Sequence, residues 1–334
     1  MPTNATEQKM VTKTYAQAIR DGHTQEMRRD PRVMVWGEGI AERGGNWDET
    51  LGLLAEFGPE RVFDTPISEL GFTGMGIGAA MRGLRPVVNL MFLDFFGEAF
   101  SQIMHQAAKW HYISGGQVRV PIVFWGVMGA GGYAGAHHSG CLYPIMMHLP
   151  GLKVVAPATP ADAQGLLAAA IRDDNPVVYC ASRMLMAHKG EVPEGEVYVP
   201  LGQARVVREG EDVTVVAISR MVQEAEQAAG QLAAEGISVE LIDPRTLVPL
   251  DLETILASVR KTGRLVVVDE AWARCSAAAE IAATVAERAF RDLRAPVRRI
   301  ETLPLPHPIS EPLEQAMLPD AARIVAVVRE VMGR

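Results

Sequence analysis

An α/β protein with two doubly wound units is what this sequence predicts, and three observations predict it. Short apolar runs of strand length alternate with longer segments whose apolar residues recur at helical spacing, the order that gives mainly parallel sheets covered on both faces. That alternation breaks once, between about residues 186 and 204, into Lys, Gly, Glu and Pro, and then resumes. At 334 residues the chain is long enough for two cores of roughly 150 residues each. The expected division is 1–185 for the first unit, 186–204 for a linker and 205–334 for the second.

In chain order, residues 13–30 read as a helix starting near Thr14, and 33–36 as a buried strand ending at Gly37. Residues 61–63 form a short apolar strand stopped by Pro66, and 71–81 a glycine-rich helix that admits a close neighbour. Strands are expected over 86–91, 120–125 and 152–156, with a helix over 95–112 between the first two. A helix over 161–172 and a strand over 176–179 complete the first unit. In the second, strands over 213–218, 239–242 and 264–268 alternate with a helix over 221–235, whose Val222, Ala225, Ala229 and Leu232 share one face. A last helix ends at Arg334.

Composition excludes several classes. A net charge of -8 without a concentrated basic run argues against nucleic acid or an anionic membrane as the main partner, leaving small molecules and proteins. The three cysteines, Cys141, Cys180 and Cys275, are far apart and lack metal-ligand spacing, so buried free thiols are expected. A polar N-terminus and the lack of an apolar run of about 18 residues give neither a signal peptide nor a membrane span, and the cytoplasm is the expected location.

The segment Asp64-Thr-Pro-Ile-Ser-Glu-Leu-Gly-Phe-Thr-Gly74 sets one carboxylate, Glu69, at a strand-to-helix junction followed by small residues. A catalytic acid would sit there. The plainer reading is a favourable charge in a helix's first turn, with Ser68 as N-cap. After the strand ending at Trp125, the glycine run 126–136 superficially matches a dinucleotide fingerprint, which would make the protein an NAD-binding Rossmann dehydrogenase. Such a turn needs a helix next, yet His137-His-Ser-Gly140 follows. The loop reads equally as a wall that carries His137 and His138 into a cavity, or as two exposed loop histidines. In Asn89-Leu-Met-Phe-Leu-Asp-Phe95, core packing explains most of the apolar content, while Phe95 is placed at a strand's C-terminal end to wall a flat heterocycle.

Taken together, Val62-x-Asp-Thr-Pro-Ile-Ser-Glu-x-Gly-Phe-Thr-Gly74, Gly83-Leu-Arg-Pro86, Ala107-Ala-Lys-Trp110, Gly135-Ala-x-His138-Ser139, Pro150-Gly-Leu-Lys-Val-Val155, Ile171-Arg-Asp-Asp-Asn-Pro-Val177 and Asp243-Pro-Arg-Thr-Leu247 resemble the beta subunit of thiamine-diphosphate-dependent 2-oxo acid dehydrogenase (E1) components. Leu90-Met-Phe-x-Asp-Phe95, Gly190-Glu-Val-Pro-Glu194 and Asp269-Glu-Ala-x-x-Arg-Cys275 resemble the acetoin dehydrogenase branch most. The resemblance implies a pyrimidine-binding domain followed by a transketolase C-terminal-like domain. It implies Glu69 as hydrogen-bond partner of N1′ on the cofactor's aminopyrimidine, Phe95 packed on that ring with Met91 and Glu98 in the same lining, and His138 near the thiazolium and substrate. It further implies a potassium site at Ile122, Ala170, Asp173 and Asn175, built largely from main-chain oxygens. Asp269-Glu270 and the last helix are expected to support dimerisation and docking to a lipoyl-bearing acyltransferase (E2). Family members usually carry Gln at His137, Glu at Asn89 and Gln-Ser after His138, so the substrate contacts differ here.

Thiamine diphosphate must lose the C2 proton of its thiazolium, and a carboxylate at N1′ favours the imino tautomer whose exocyclic nitrogen takes that proton. Enzymes of this kind hold the diphosphate through Mg²⁺ with a Gly-Asp-Gly followed roughly 30 residues later by Asn. No Gly-Asp-Gly occurs in this sequence. The resemblance therefore implies an α2β2 assembly, in which an alpha subunit supplies the Mg²⁺-diphosphate half of the site and Glu69 acts across the subunit boundary. The expected activity is cleavage of acetoin or decarboxylation of a 2-oxo acid, with the acyl unit passed to E2. A non-catalytic scaffold for an alpha subunit is the reading outside enzymology.

Overall fold

The computed structural model describes residues 9–334. Its strands are β1 (Met10–Thr14), β2 (Val33–Gly37), β3 (Val62–Asp64), β4 (Arg85–Phe92), β5 (Val123–Met128), β6 (Lys153–Val155), β7 (Val177–Ser182), β8 (Lys189–Pro193), β9 (Arg205–Arg208), β10 (Val213–Ala217), β11 (Val239–Asp243), β12 (Thr246–Val248), β13 (Leu265–Trp272) and β14 (Arg298–Thr302). Seven of them form a sheet in the order β12-β6-β7-β5-β4-β2-β3, and five form a second in the order β14-β13-β10-β11-β9. Pairing is parallel except for β12 on β6 and β9 on β11. Central strands such as β5 and β7 are buried along their whole length, as a sheet covered on both faces requires.

The first long helix, Tyr15–Arg29, starts where its cap is encoded. The Thr14 hydroxyl accepts from Gln17 N while the Gln17 side chain accepts from Thr14 N, a reciprocal capping box, and Arg28 and Arg29 sit at the negative end of the helix dipole. The strand expected over 120–125 begins later, at Val123, because Pro121 has no N–H for the ladder; it runs on to Met128, paired with Ser182.

Two stretches differ more. The helix expected over 95–112 is broken: a 3₁₀ turn at Leu93–Phe95, a helix at Phe96–Ser101, a π-helical segment at Gln102–Ala107 and a turn of helix at Trp110–Ile113. Ala108 N reaches back five residues to Ile103 O, a widened turn that periodicity alone does not announce. The expected linker holds a strand as well, since β8 pairs antiparallel with β1, from Met10 with Pro193 to Thr14 with Lys189.

The two sheets are joined through Asp243-Pro-Arg-Thr-Leu247. This segment leaves β11 of the second sheet, turns at Arg245 with φ +58°, and adds β12 to the edge of the first. Burial there is severe: Asp162 and Asp243 are 1% and 0% exposed. Arg245 Nε lies 2.8 Å from Asp162, and Arg205 stands 3.9 Å and 3.8 Å from Asp162 and Asp243. Burial first, and then the charge of Asp162, push the Asp243 carboxyl from its ordinary 3.8 up to about 7. The folded chain thus binds this proton more tightly than the unfolded one. The stability it contributes is complete below about pH 3.8 and is lost as pH rises through about 7. Urea unfolding should therefore show stability falling from about pH 5 to about pH 8, and Asp243→Asn should flatten that fall. An unchanged slope in the variant would assign the pH dependence elsewhere.

Candidate active site

In the larger sheet the chain runs from β2 outward to β3 and then returns to the other side of β2 for β4. Loops leaving β2 and β4 therefore diverge, and a crevice opens between them at the carboxyl ends of the strands. Glu38 follows β2, Glu69 follows β3, residues 91–95 end β4, the His138 loop follows β5, and Arg183 follows β7. Everything of chemical interest in this unit meets at one edge.

Glu69 is the first residue of the helix Glu69–Met81, and Ser68 precedes it without making a side-chain cap. The helix-capping account thus loses its hydroxyl. Glu69 is only 9% exposed, and its carboxylate makes no hydrogen bond or ion pair among the described residues. Beside it stands Glu38, which the sequence reading missed. One Glu38 oxygen is buried and unpartnered, and its carboxyl is pushed up by burial and then by the charge of Glu69. The available signal was its place in Gly37-Glu-Gly39, directly after a buried strand.

Across the crevice, β4 ends in a bulge. Met91 takes φ +59°, and its N–H donates to the Asn89 side chain at 2.6 Å. Asn89 therefore serves the turned backbone as a neutral acceptor. The bulge sends Phe92 and Phe95 toward His138: ring centroids lie 5.9 Å apart for Phe92 and Phe95, 4.9 Å for Phe92 and His138, and 5.3 Å for Phe95 and His138, all edge-on. Phe92 is a second residue the sequence reading passed over in favour of Phe95. Glu98 is exposed on the helix Phe96–Ser101, one turn beyond Phe95, and His137 is exposed on the loop. Glu69 follows β3 and His138 follows β5, three strand positions away in the same sheet.

The glycine run does not lead into a helix. Gly129, Gly131, Gly132 and Gly135 all have positive φ, and irregular backbone continues until Tyr143. The dinucleotide reading falls here, because a phosphate-binding turn delivers its ligand to a helix N-terminus. The second sheet holds this loop instead. Glu270 accepts from Ala130 N at 2.8 Å and pairs with Arg220 at 3.0 Å, while Glu314 accepts from Gly131 N at 3.2 Å. Asp269 is fully buried and accepts from Tyr143 Oη, Ala271 N and Ala278 N. This corrects the docking role expected for Asp269-Glu270: both carboxylates are committed inside the chain and present nothing to a partner.

At the potassium positions, carbonyl oxygens gather at the C-terminal end of the helix Pro160–Arg172, where the dipole favours a cation. Arg85 already donates to the carbonyls of Ile171 and Asp173 at 2.9 Å each, and Val177 N donates to Ile122 O at 2.9 Å. The Asp173 carboxylate pairs with Lys153 and accepts from Asn175, which leaves main-chain oxygens and the Asn175 side-chain oxygen for an ion. Among the described residues no group of three or more His, Cys, Asp and Glu is placed to hold a metal.

Residues 11–189 match the transketolase pyrimidine-binding domain and residues 202–324 the transketolase C-terminal domain. A solved chain described as a split-gene transketolase in an inactive beta4 tetramer superposes with a TM-score of 0.78, covering 96% of this chain and 98% of that one at 23% identity, a likeness of fold. The class is thus a two-domain transketolase-like chain. Nearer in sequence, the beta subunit of acetoin:2,6-dichlorophenolindophenol oxidoreductase from Cupriavidus necator is 47% identical over 94% of this chain and 96% of its own length. Its counterpart from Bacillus subtilis is 44% identical over 96% and 97%. The pyruvate dehydrogenase E1 component subunit beta of Rhizobium meliloti is 47% identical over 96% of this chain and 70% of its own length. The chain belongs to the family of E1 beta subunits of pyruvate and acetoin dehydrogenases.

The loop clamp can be tested by stability alone. Glu270→Ala leaves Ala130 N buried without a partner and Arg220 with Glu224 alone, and should cost about 3 kcal/mol in urea unfolding. A loss below about 1 kcal/mol, the range of a surface pair, would contradict the clamp.

Proposed function

We propose that this chain is the pyrimidine-binding half of a thiamine-diphosphate E1 enzyme that cleaves acetoin or decarboxylates a 2-oxo acid and passes the acyl unit to a lipoyl-bearing E2. One observation carries the reading: Glu69, only 9% exposed, and the half-buried Glu38 stand side by side at the carboxyl ends of the strands without protein partners, on the same sheet edge as an aromatic cluster and a histidine. A buried acid without a partner is costly unless a ligand completes it, and an aminopyrimidine offers ring nitrogens that exchange a proton with a carboxyl group. The residues present fit that group. When bound, thiamine diphosphate supplies a carbon nucleophile for the substrate carbonyl.

Glu69 would hold the proton at N1′ of the aminopyrimidine and so set its tautomer. Phe95 and Met91 would pack on that ring and exclude water, with Glu98 bordering the same lining. His138 donates a hydrogen bond to the substrate oxygen as charge builds there. The diphosphate and Mg²⁺ fall to an alpha subunit in an α2β2 assembly, which leaves substrate choice partly to that partner. Acetoin is favoured by the stretch Leu90–Phe95 and by the likeness to acetoin:dichlorophenolindophenol oxidoreductase beta subunits. Free thiols, one of them the exposed Cys275, suit the reducing cytoplasm. The main-chain oxygens of Ile122, Ala170, Asp173 and Asn175 are the proposed potassium ligands.

In a complex reconstituted with the alpha subunit, Glu69→Gln should lower turnover on acetoin or pyruvate by about 10²–10⁴-fold with the fold intact by circular dichroism. His138→Ala should lower turnover by a similar factor while changing cofactor affinity far less. Near-wild-type turnover in both variants would favour a scaffold instead. Exchange of Na⁺ for K⁺ at constant ionic strength should raise the Tm of the purified chain, since a bound ion stabilises the state that binds it; equal Tm values would remove the potassium site.

A further inference from the structure

We infer that Arg183 is a positioning residue for His138, its guanidinium tying together the two arms of the glycine loop so that the imidazole is held at the mouth of the crevice. The inference rests on the role given to His138 above. Arg183 follows directly from the end of β7, the neighbour of β5, so its side chain starts from rigid sheet. Its Nη1 donates to Gly131 O at 2.5 Å and its Nη2 to His138 O, which closes the loop from residue 131 to residue 138 through one planar group. The guanidinium also lies 4.8 Å from the centroid of the Phe92 ring, whose edge packs on His138.

Arg183 thus touches His138 through its carbonyl and again through its aromatic neighbour. The other side-chain anchors of this loop each hold a single point, Glu270 at Ala130 N, Glu314 at Gly131 N and Asp94 at Gly140 N at 3.1 Å, while Gly129 N donates to Gly140 O at 3.2 Å across the loop's base. None of these three side chains spans the loop.

The backbone leaves little slack at this contact. Gly131 has φ +105°, and a Cβ there would lie 2.6 Å from Met184 Cγ, so the loop is drawn onto the residue next to Arg183. Burial lowers the Arg183 pKa, and the charges of Asp94, Glu314 and Glu270 act against that fall. Lysine could not substitute. Its ammonium is a point charge on a flexible stem, whereas the planar fork serves two carbonyls in fixed directions.

The test uses the reconstituted complex with Arg183→Lys, Arg183→Gln and Arg183→Ala, and His138→Ala as reference. We expect kcat to fall about 10–100-fold in Arg183→Lys and Arg183→Gln, as expected for a group displaced by about 1 Å, with KM and thiamine diphosphate affinity within about threefold. Amide exchange of residues 131–138 should accelerate in the same variants, while exchange in β5 and β7 stays as in the wild type. Added guanidinium at concentrations far below denaturing should restore kcat in Arg183→Ala and leave Arg183→Lys unchanged. Wild-type kcat in Arg183→Lys and Arg183→Gln, with His138→Ala inactive, overturns the inference and leaves the proposed function standing. A fall in kcat with unchanged loop exchange and no guanidinium rescue overturns it as well. Wild-type turnover in His138→Ala overturns the role of His138 itself, and with it this inference.

Discussion

The structure depends on a carboxylate buried between two sheets. Glu270 belongs to β13 of the second sheet, yet its oxygens are spent on Arg220 and on the N–H of Ala130, in the glycine loop of the first. A buried charge of this kind is tolerated only when its partners are fixed, so the contact sets the position of both bodies. The loop has no regular structure of its own over residues 129–142 and owes its shape to such side chains. Through it, the second domain reaches the candidate active site, where Glu314, Gln315 and Leu318 line the same cavity as Phe92, the glycine loop and Arg183.

Opposite demands meet at the crevice. A stable core satisfies its buried polar groups, and most of this chain does so, as the Thr214, Ser258 and Thr262 hydroxyls do under the second sheet. One oxygen of Glu38 and one of Asp94 depart from that rule at the carboxyl ends of the strands. The Asp94 carboxyl is pushed up by burial, with the Gly140 N–H and the charges of His138 and Arg183 opposing it. Strain is placed here too, in Met91 at φ +59°. Open acids and a strained residue thus gather at the edge where the proposed ligand would bind.

Edge-on packing of Phe92, Phe95 and His138 explains how a loop histidine gains a defined place. Each ring presents its positive edge to a neighbour's face, an arrangement that holds orientation better than apolar contact alone. The π-helical turn that follows, at Gln102–Ala107, lets the same chain leave the aromatic wall and return to the core through Ile103 and Ala107.

From sequence alone, period and punctuation determined the alternating strands and helices, the start of the first helix near Thr14, and the Lys-Gly-Glu-Pro break. Glu69 and Phe95 stood out as candidates because each closely follows a strand, and in this architecture strand ends share one edge; the residues alone left His138 open between a cavity and an exposed loop. Short or polar pairing was not legible: β1 and β8 are polar ribbons stabilised by each other, and β12 exists only because β6 offers an edge. Tertiary structure alone decided that Glu38 neighbours Glu69, that Asp269 and Glu270 turn inward, and that Arg183 spans the histidine loop. Those facts depend on contacts between residues far apart in the chain, such as Glu270 with Ala130 or Arg183 with His138. Local pattern carries no information about which distant groups a fold brings within hydrogen-bond reach.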